Sequence, residues 1–374
     1  MKILALYLPQ YHAIPENDEW WGKGFTEWVN VKKAKPLYDG HFQPRIPLNG
    51  KYYNLLDDSV KKWQIGLAKK YGIYGFIVYH YWFNGKKLLE KPMEQYLNNK
   101  NLDFPFCFCW ANEHWSNAWV SGENKIIMPQ NFDDPADWDR HFYYTLPFFK
   151  DLRYIKEDGK PIYVIYLPNI IRPLNEMLDR WQELAKENGL PGIKFIYQSP
   201  FFHLDNYADK SRFDYGIEFQ PSMINHLEKG EKGAVLIRIK TKVSMFLQTK
   251  LHIYIRKRKK LVMKNYDEMW KKVLAIHPKN EKCIPGAFVD WDNTPRRSER
   301  GSVYVGATPE KFKKYFDLQV KHAQKEYKTD MLVLFAWNEW AEGGILEPTE
   351  KYGSAYLEAV REVLIENNEF PKWN

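Results

Sequence analysis

Eight short apolar runs recur along the chain, and helical periodicity fills most of the intervals between them. The runs are Lys2–Leu8, Ile73–Tyr79, Pro105–Trp110, Ile162–Leu167, Ile193–Tyr197, Tyr215–Phe219, Gly286–Val289 with its neighbours, and Met331–Trp337. Helical patterns fall at about Asp58–Tyr71, Leu88–Leu97, Pro135–Phe149, Ile171–Asn188, Tyr266–Ile276, Pro309–Tyr327 and Gly353–Glu366. In the first of these Val60, Trp63, Leu67 and Ala68 share one face. Asn188-Gly189 is a natural helix stop and Thr308-Pro309 a natural start. The strands are apolar on both faces, as a sheet covered by helices requires. Strand–helix alternation implies parallel pairing, and eight units is the number that closes a barrel. The chain is therefore expected to form one (β/α)₈ barrel over residues 1–374, in preference to a doubly wound open sheet, since no GxGxxG turn follows an early strand. The fifth unit is the weakest, with only a turn or two of helix in Phe201–Arg212.

One segment breaks the alternation. At about Ile224–Lys264, after the sixth strand, no Asp or Glu occurs between Lys232 and Lys264, while Arg238 to Lys260 holds nine basic residues. The formal charge of the whole chain is only +8, so its basicity belongs to this insertion. Two readings stand: an amphipathic element lying on an anionic membrane surface, or a solvated excursion. Nucleic-acid binding is not expected, because the basic run is local and no binding motif accompanies it. The first apolar run leads straight into Pro9-Gln10-Tyr11-His12 with no small-residue cleavage site, which reads as a strand and not a signal peptide. No apolar run reaches the length of a membrane span. Cys107, Cys109 and Cys283 show no metal-like pairing, and Cys107 and Cys109, alternating along an apparent strand, read as buried thiols. The expected setting is the reducing cytoplasm, peripheral to the inner membrane face if the insertion binds lipid.

In a barrel, chemistry gathers at the C-terminal ends of the strands. Unusual residues do follow the runs. Tyr11 and His12 follow the first, and the next loop carries Trp20, Trp21, Phe25, Glu27 and Trp28. His80, Tyr81 and Trp82 end the second, and Trp110, Asn112, Glu113 and Trp115 the third. Gln198 follows the fifth, Gln220 the sixth, and Asp290 and Trp291 the seventh. Asn338, Glu339, Trp340 and Glu342 follow the eighth. Any one of these has a structural explanation, a hydrogen-bonded core histidine or a helix-capping carboxylate. Their recurrence at one end of nearly every strand describes an aromatic-walled pocket containing carboxylates. A sugar fits such a pocket, its apolar face on the flat ring of a Trp or Tyr. The 17% aromatic content, with 15 Trp and 25 Tyr, leaves rings to spare for such walls.

Glu339 and Glu342 stand three apart directly after a buried strand, so a turn there aims both into one cavity. Two close carboxyls in a partly dry site separate in pKa, one protonated and one ionised, as glycosidic cleavage requires. No H-E-x-x-H or G-x-S-x-G occurs, and Glu113 and His114 are adjacent, so no metal, cofactor or Ser-His-Asp site is expected.

The motifs YLPQYH (Tyr7–His12), GFTEW (Gly24–Trp28), YHYWFNG (Tyr79–Gly85), CWANEHW (Cys109–Trp115), VDWDNTPRR (Val289–Arg297) and WNEWAEGGILEP (Trp337–Pro348) occur in that order. Together they resemble the WbsX-like proteins of bacterial polysaccharide (O-antigen and capsule) biosynthesis, relatives of glycoside hydrolase family 99. The resemblance covers almost the whole chain. It implies a metal-free (β/α)₈ enzyme working with retention on a surface polysaccharide or its intermediate. Glu339 would deprotonate the substrate's own 2-hydroxyl, and Glu342 would act as general acid and then base. Ala341 stands where family 99 usually has His, and His114, Ser116 and Val120 depart from the usual WbsX pattern. A glycosyltransferase of lipopolysaccharide biosynthesis is the second reading, against which stand the missing D-x-D and nucleotide-binding turns. A non-catalytic carbohydrate-binding protein is the third, disfavoured by retention of both Glu residues.

Overall fold

The apolar runs form the parallel strands of a barrel. The computed structural model describes residues 1–116, 126–198, 209–228 and 260–373. Its barrel strands are β1 (Lys2–Tyr7), β2 (Gly75–Phe83), β3 (Phe106–Trp110), β4 (Lys160–Ile165), β5 (Lys194–Tyr197), β6 (Tyr215–Ile217), β7 in two pieces (Cys283–Ile284 and Gly286–Phe288) and β8 (Met331–Phe335). Each strand pairs in parallel with its neighbours in sequence, and β8 returns to β1 through the register Leu4↔Val333. Buried side chains run along both faces of β1, β3 and β8, as the sequence pattern requires.

Closure passes through the broken seventh strand. Its first piece pairs with β6 (Gly216↔Cys283) and its second with β8 (Gly286↔Val333). Pro285 between them has no N–H to donate, but its carbonyl accepts from Val333 N at 3.0 Å. At Gly286 a Cβ would lie 1.9 Å from the carbonyl oxygen of Glu218, so this crossing admits only glycine.

The barrel helices are α1 (Asp58–Tyr71), α2 (Lys91–Asn98), α3 (Pro135–Lys150), α4 (Leu174–Glu187), α5 (Tyr266–Leu274), α6 (Pro309–Glu326) and α7 (Ala355–Glu366). Expected caps are present. Thr308 Oγ1 accepts from Lys311 N ahead of Pro309, and Asn188 and left-handed Gly189 end α4. Between β5 and β6 the described helix is a single 3₁₀ turn, Lys210–Arg212. Most of the basic insertion, 229–259, lies outside the described residues; Ser222–Leu227 is helical before it, and Val262–Asn265 pairs with Ser302–Val305 after it. No helix among the described residues is long and apolar enough to cross a membrane. The three cysteines are free and buried.

One strand differs from expectation in a way that shapes the site. β2 does not stop at Tyr79 but runs to Phe83 and folds back onto Lys86–Leu88. Asn84 and Gly85 make the two-residue turn, both with positive φ (48° and 83°), a geometry that Asn-Gly adopts readily.

Candidate active site

At the C-terminal ends of the strands lies a cavity of about 440 Å³. The two-residue period of the extended backbone decides which side chains enter it. On β2, Tyr79, Tyr81 and Phe83 line the cavity, while His80 and Trp82 point to the other side and pack on His141. After β3, Ala111, Glu113 and Trp115 line it, together with His114. Trp115 sits among Trp20, Trp21 and Tyr81, with ring centroids 5.8, 6.1 and 5.1 Å away. Tyr166, Phe219, Trp291 and Phe335 complete the aromatic lining from other strands.

Glu339 and Glu342 occupy a tight hairpin directly after β8. Asn338–Glu339 pairs with Gly344–Ile345, and Glu342 N donates back to Glu339 O at 3.0 Å. Gly343 closes the turn with φ 83°, where a Cβ would stand 2.7 Å from Asp292 N. The turn is held from outside by Asp292 N donating to Glu342 O (2.8 Å) and Arg45 Nη1 donating to Gly343 O (3.1 Å). Asp290 anchors that arginine at 2.7 Å. Burial alone would raise the pKa of Asp292. Donors from His41, Thr294 and Gln43 and the charge of Arg45 reverse this and hold it near about 2.

The centre of the cavity is a cluster of three carboxylates around one guanidinium. Arg296 donates through Nη1 to Glu342 (2.6 Å), through Nη2 to Glu339 (3.3 Å) and through Nε to Glu27 (2.9 Å). Glu27 opens the short helix Glu27–Lys33, and its carboxylate also accepts from Asn30 Nδ2 at 2.9 Å. Arg296 comes from the turn Thr294–Arg297, which Asp292 caps at Thr294. The site thus carries its own internal cation. Burial raises the pKa of Glu339; Arg296 pulls against that shift, and the charges of Glu342 and Glu27 add to it. Glu113 is also raised, by desolvation first and by the charge of Glu342 second, although the cavity leaves it open to solvent.

The structure divides the residues expected to bind substrate into two layers. Tyr81, Glu113, Trp115 and Trp291 line the cavity with Glu339 and Glu342. The others stand behind it, most with their polar atoms engaged elsewhere, while Gln220 Nε2 and Oε1 and His12 Nε2 have no hydrogen-bond partner among the described residues. Asn338 clamps Leu8, accepting from its N–H at 2.8 Å and donating to its carbonyl at 3.0 Å. Tyr11 donates to the Asn338 carbonyl at 2.5 Å, and Trp28 to Tyr53 O at 2.8 Å. Trp340 donates to Glu347 at 2.7 Å; that buried carboxyl also receives Gln64, Tyr53 and Trp337, and burial still lifts it to about 7. Asn112 exchanges two 2.8 Å bonds with Leu167, and Trp82 donates to Asp137. Trp110 reaches Trp82 O, and Gln198 bonds Cys109 and Tyr79. His80 contacts His141, and burial depresses its pKa to about 3. His12 contacts Pro9 O and is lowered to about 4 by burial. Gln220 is buried beside Gly286, and Asp290 serves Arg45.

Sequence reasoning noted Glu27 in the loop after the first strand but gave no site role to it, to Gln10 or to Arg296, all of which line the cavity. Gln10 Nε2 donates to Tyr81 Oη at 3.0 Å, and Gln10 O accepts from Glu27 N at 3.1 Å, tying the end of β1 to both walls. The signal was present, since all three belong to the runs YLPQYH, GFTEW and VDWDNTPRR that carry the family resemblance. An arginine among those runs reads as a surface charge until three carboxylates are seen to converge on it.

The model of the family described as Glycosyltransferase WbsX matches residues 3–360. A protein of Xanthomonas campestris pv. campestris (strain ATCC 33913) named Uncharacterized protein WxcX is 33% identical over 365 residues, which is 97% of this chain and 49% of the relative. Its counterpart in strain B100 is 33% identical over 372 residues, with the same coverage. The chain therefore spans about half the length of these relatives. Among solved structures, the GH99 endo-alpha-mannosidase from Bacteroides thetaiotaomicron in complex with BIS-TRIS-propane aligns with TM-score 0.59 at 15% identity, over 98% of this chain and 97% of that one. A structure described as a glycoside hydrolase-like protein aligns with TM-score 0.55 at 14% identity, over 100% of this chain and 94% of that one. At such identities the likeness speaks for the (β/α)₈ fold.

Proposed function

The chain belongs to the WbsX family, and from that premise we propose that it is a carbohydrate-active enzyme whose Glu339 and Glu342 act as an acid–base pair on a glycosidic bond. One observation carries this reading: both carboxylates share the guanidinium of Arg296 inside an aromatic-walled cavity at the C-terminal end of the barrel.

The charge count supports it. Three carboxylates and one guanidinium would carry net −2 if fully ionised, in a cavity partly closed to water. Retaining one proton costs less, and burial favours Glu339 as its carrier. A glycosidic step needs one protonated and one ionised group, which is the composition of this cluster. We assign Glu339 as base toward the sugar 2-hydroxyl and Glu342 as acid toward the leaving oxygen. For these roles the proton must sit on Glu342 in the complex. A substrate hydroxyl donating to Glu339 stabilises its anion and drives that transfer. The raised basicity of Glu339 then serves proton abstraction. Aromatic faces from Tyr81, Trp115 and Trp291 would hold sugar rings on either side of the bond.

The substrate class is a bacterial surface polysaccharide or its lipid-linked intermediate, and the leading reaction is hydrolysis with retention. The family description favours transfer to a sugar acceptor as the second reading. Incubation with the oligosaccharide in ¹⁸O-water distinguishes them. New reducing ends carrying ¹⁸O mean hydrolysis, whereas elongated products free of ¹⁸O mean transfer.

A further inference from the structure

At the opposite end of the barrel from the cavity, three potential metal ligands meet between two helices. His322 and Glu326 stand one turn apart near the C-terminus of α6, on the same face. His277 comes from the connection between α5 and the first piece of β7. One ligand atom from each lies within 4.8 Å of the other two. His277 Nδ1 is 2.6 Å from Glu326 Oε2, and His322 Nε2 is 3.2 Å from the same oxygen. The imidazole rings are 5.7 Å apart and inclined at 73°.

An ordinary ion pair accounts for only part of this arrangement. Glu326 Oε2 and His277 satisfy each other. His322 Nε2 faces the same oxygen as an ion-pair partner at 3.2 Å but without hydrogen-bond geometry; its side chain is only 11% exposed, and neither ring nitrogen has a hydrogen-bond partner among the described residues. A buried imidazole facing a carboxylate oxygen without a hydrogen bond is a costly arrangement for the protein alone. A cation between the three groups would take one nitrogen lone pair from each imidazole and one carboxylate oxygen. Tetrahedral coordination at about 2.0–2.1 Å separates neighbouring ligand atoms by roughly 3.3 Å. The His322–Glu326 spacing is already close to that, and the His277–Glu326 spacing would lengthen by less than an ångström. The two imidazole nitrogens, within 4.8 Å of each other, are brought to their spacing by the 71% exposed His277 side chain.

We propose that His277, His322 and Glu326 form a three-ligand site for a divalent transition-metal cation of the zinc class, with water completing the coordination. Two imidazoles and one carboxylate suit Zn²⁺, Co²⁺, Ni²⁺ or Cu²⁺ and discriminate against Mg²⁺. The site is structural, because it lies where helices lead back into strands, far from the cavity. Bound metal pins the connection before β7 to the end of α6, just ahead of β8. Those two strands carry the Asp290–Asp292 and Glu339–Glu342 turns.

The test is calorimetric titration of the tag-free, chelator-stripped full chain with zinc chloride, alongside thermal melts. The expected result is one saturable equivalent of Zn²⁺ and a raised melting temperature, with no response to Mg²⁺. His277→Ala and Glu326→Gln each weaken binding by at least about tenfold and abolish the thermal shift. His277 is exposed, so its variant keeps the fold and reports on the ligand alone. Absence of saturable Zn²⁺ binding overturns the proposal, as does equal binding by wild type and both variants, or an equal response to Mg²⁺. The readout is independent of turnover, so its failure leaves the assignment of Glu339 and Glu342 untouched.

Discussion

Arg296→Met removes the cation shared by three carboxylates while keeping an unbranched apolar stem of similar length. Arg296 touches Glu27, Glu339 and Glu342, and its side chain is 13% exposed. Leaving buried carboxylates without their cationic partner costs about 3 kcal/mol, the low end of the usual range, because the cavity admits some water. With an unfolding entropy of ~2.1 cal/mol/K per residue over 374 residues, that loss lowers Tm by about 4 °C. The pH dependence separates charge from packing. The folded-state pKa of Glu339 is raised, so its contribution to stability is complete below the unfolded carboxyl pKa and declines as pH rises toward the folded value. Arg296 opposes that raise, so removing it shifts the folded pKa further up and extends the decline to higher pH. The difference in Tm between wild type and variant is therefore smaller at pH 5 than at pH 8.5, and it goes on growing above the wild-type folded pKa of about 8. Differential scanning fluorimetry at both pH values measures it. A difference of the same size at pH 5 and pH 8.5 would refute the reasoning, since a packing defect does not titrate.

Two further outcomes follow from buried polar groups. Asn338→Ala leaves the Leu8 N–H and carbonyl without partners, at about 3 kcal/mol in total, and should lower Tm by about 4 °C; a change of less than a degree would show that the clamp is replaceable. Glu218 and Glu347 are both raised by burial to about 7, so in the folded chain each keeps its proton after the unfolded chain has lost it. Each costs up to ~3 kcal/mol as pH rises through that interval. The wild-type Tm should accordingly be higher at pH 5.5 than at pH 8, and a Tm that climbs across this range would contradict the assignment of those carboxyls.

The barrel could be read from the sequence because both of its signals are local. Apolar runs such as IYGFIVY and MLVLFAW mark the strands, and caps such as Thr308-Pro309 mark the helices. The position of the site could be read too, since a polar cluster after a buried strand falls at one end of a parallel barrel. Which side chain enters the cavity could not. That depends on the phase of a two-residue alternation, and the phase is set by where each strand ends. Placing the end of β2 at Tyr79 made His80, Tyr81 and Trp82 look equivalent. The strand in fact continues to the Asn84-Gly85 turn, which sends Tyr81 inward and His80 and Trp82 outward. Asn338 and Trp340 stand behind the cavity for the same reason, being neighbours of Glu339 on the opposite side of a hairpin. Arg296 stayed hidden because its partners, Glu27, Glu339 and Glu342, are scattered along the chain and meet only when the barrel closes.

The most direct test of the central claim compares Glu339→Gln and Glu342→Gln with wild type on one oligosaccharide that the wild type turns over, with folding verified by thermal melts. Each substitution should lower kcat/KM by about 10²–10⁴-fold. An activated leaving group that needs no proton should restore Glu342→Gln, the acid variant, and leave Glu339→Gln impaired. Turnover within tenfold of wild type in either folded variant would contradict the assignment of that carboxylate.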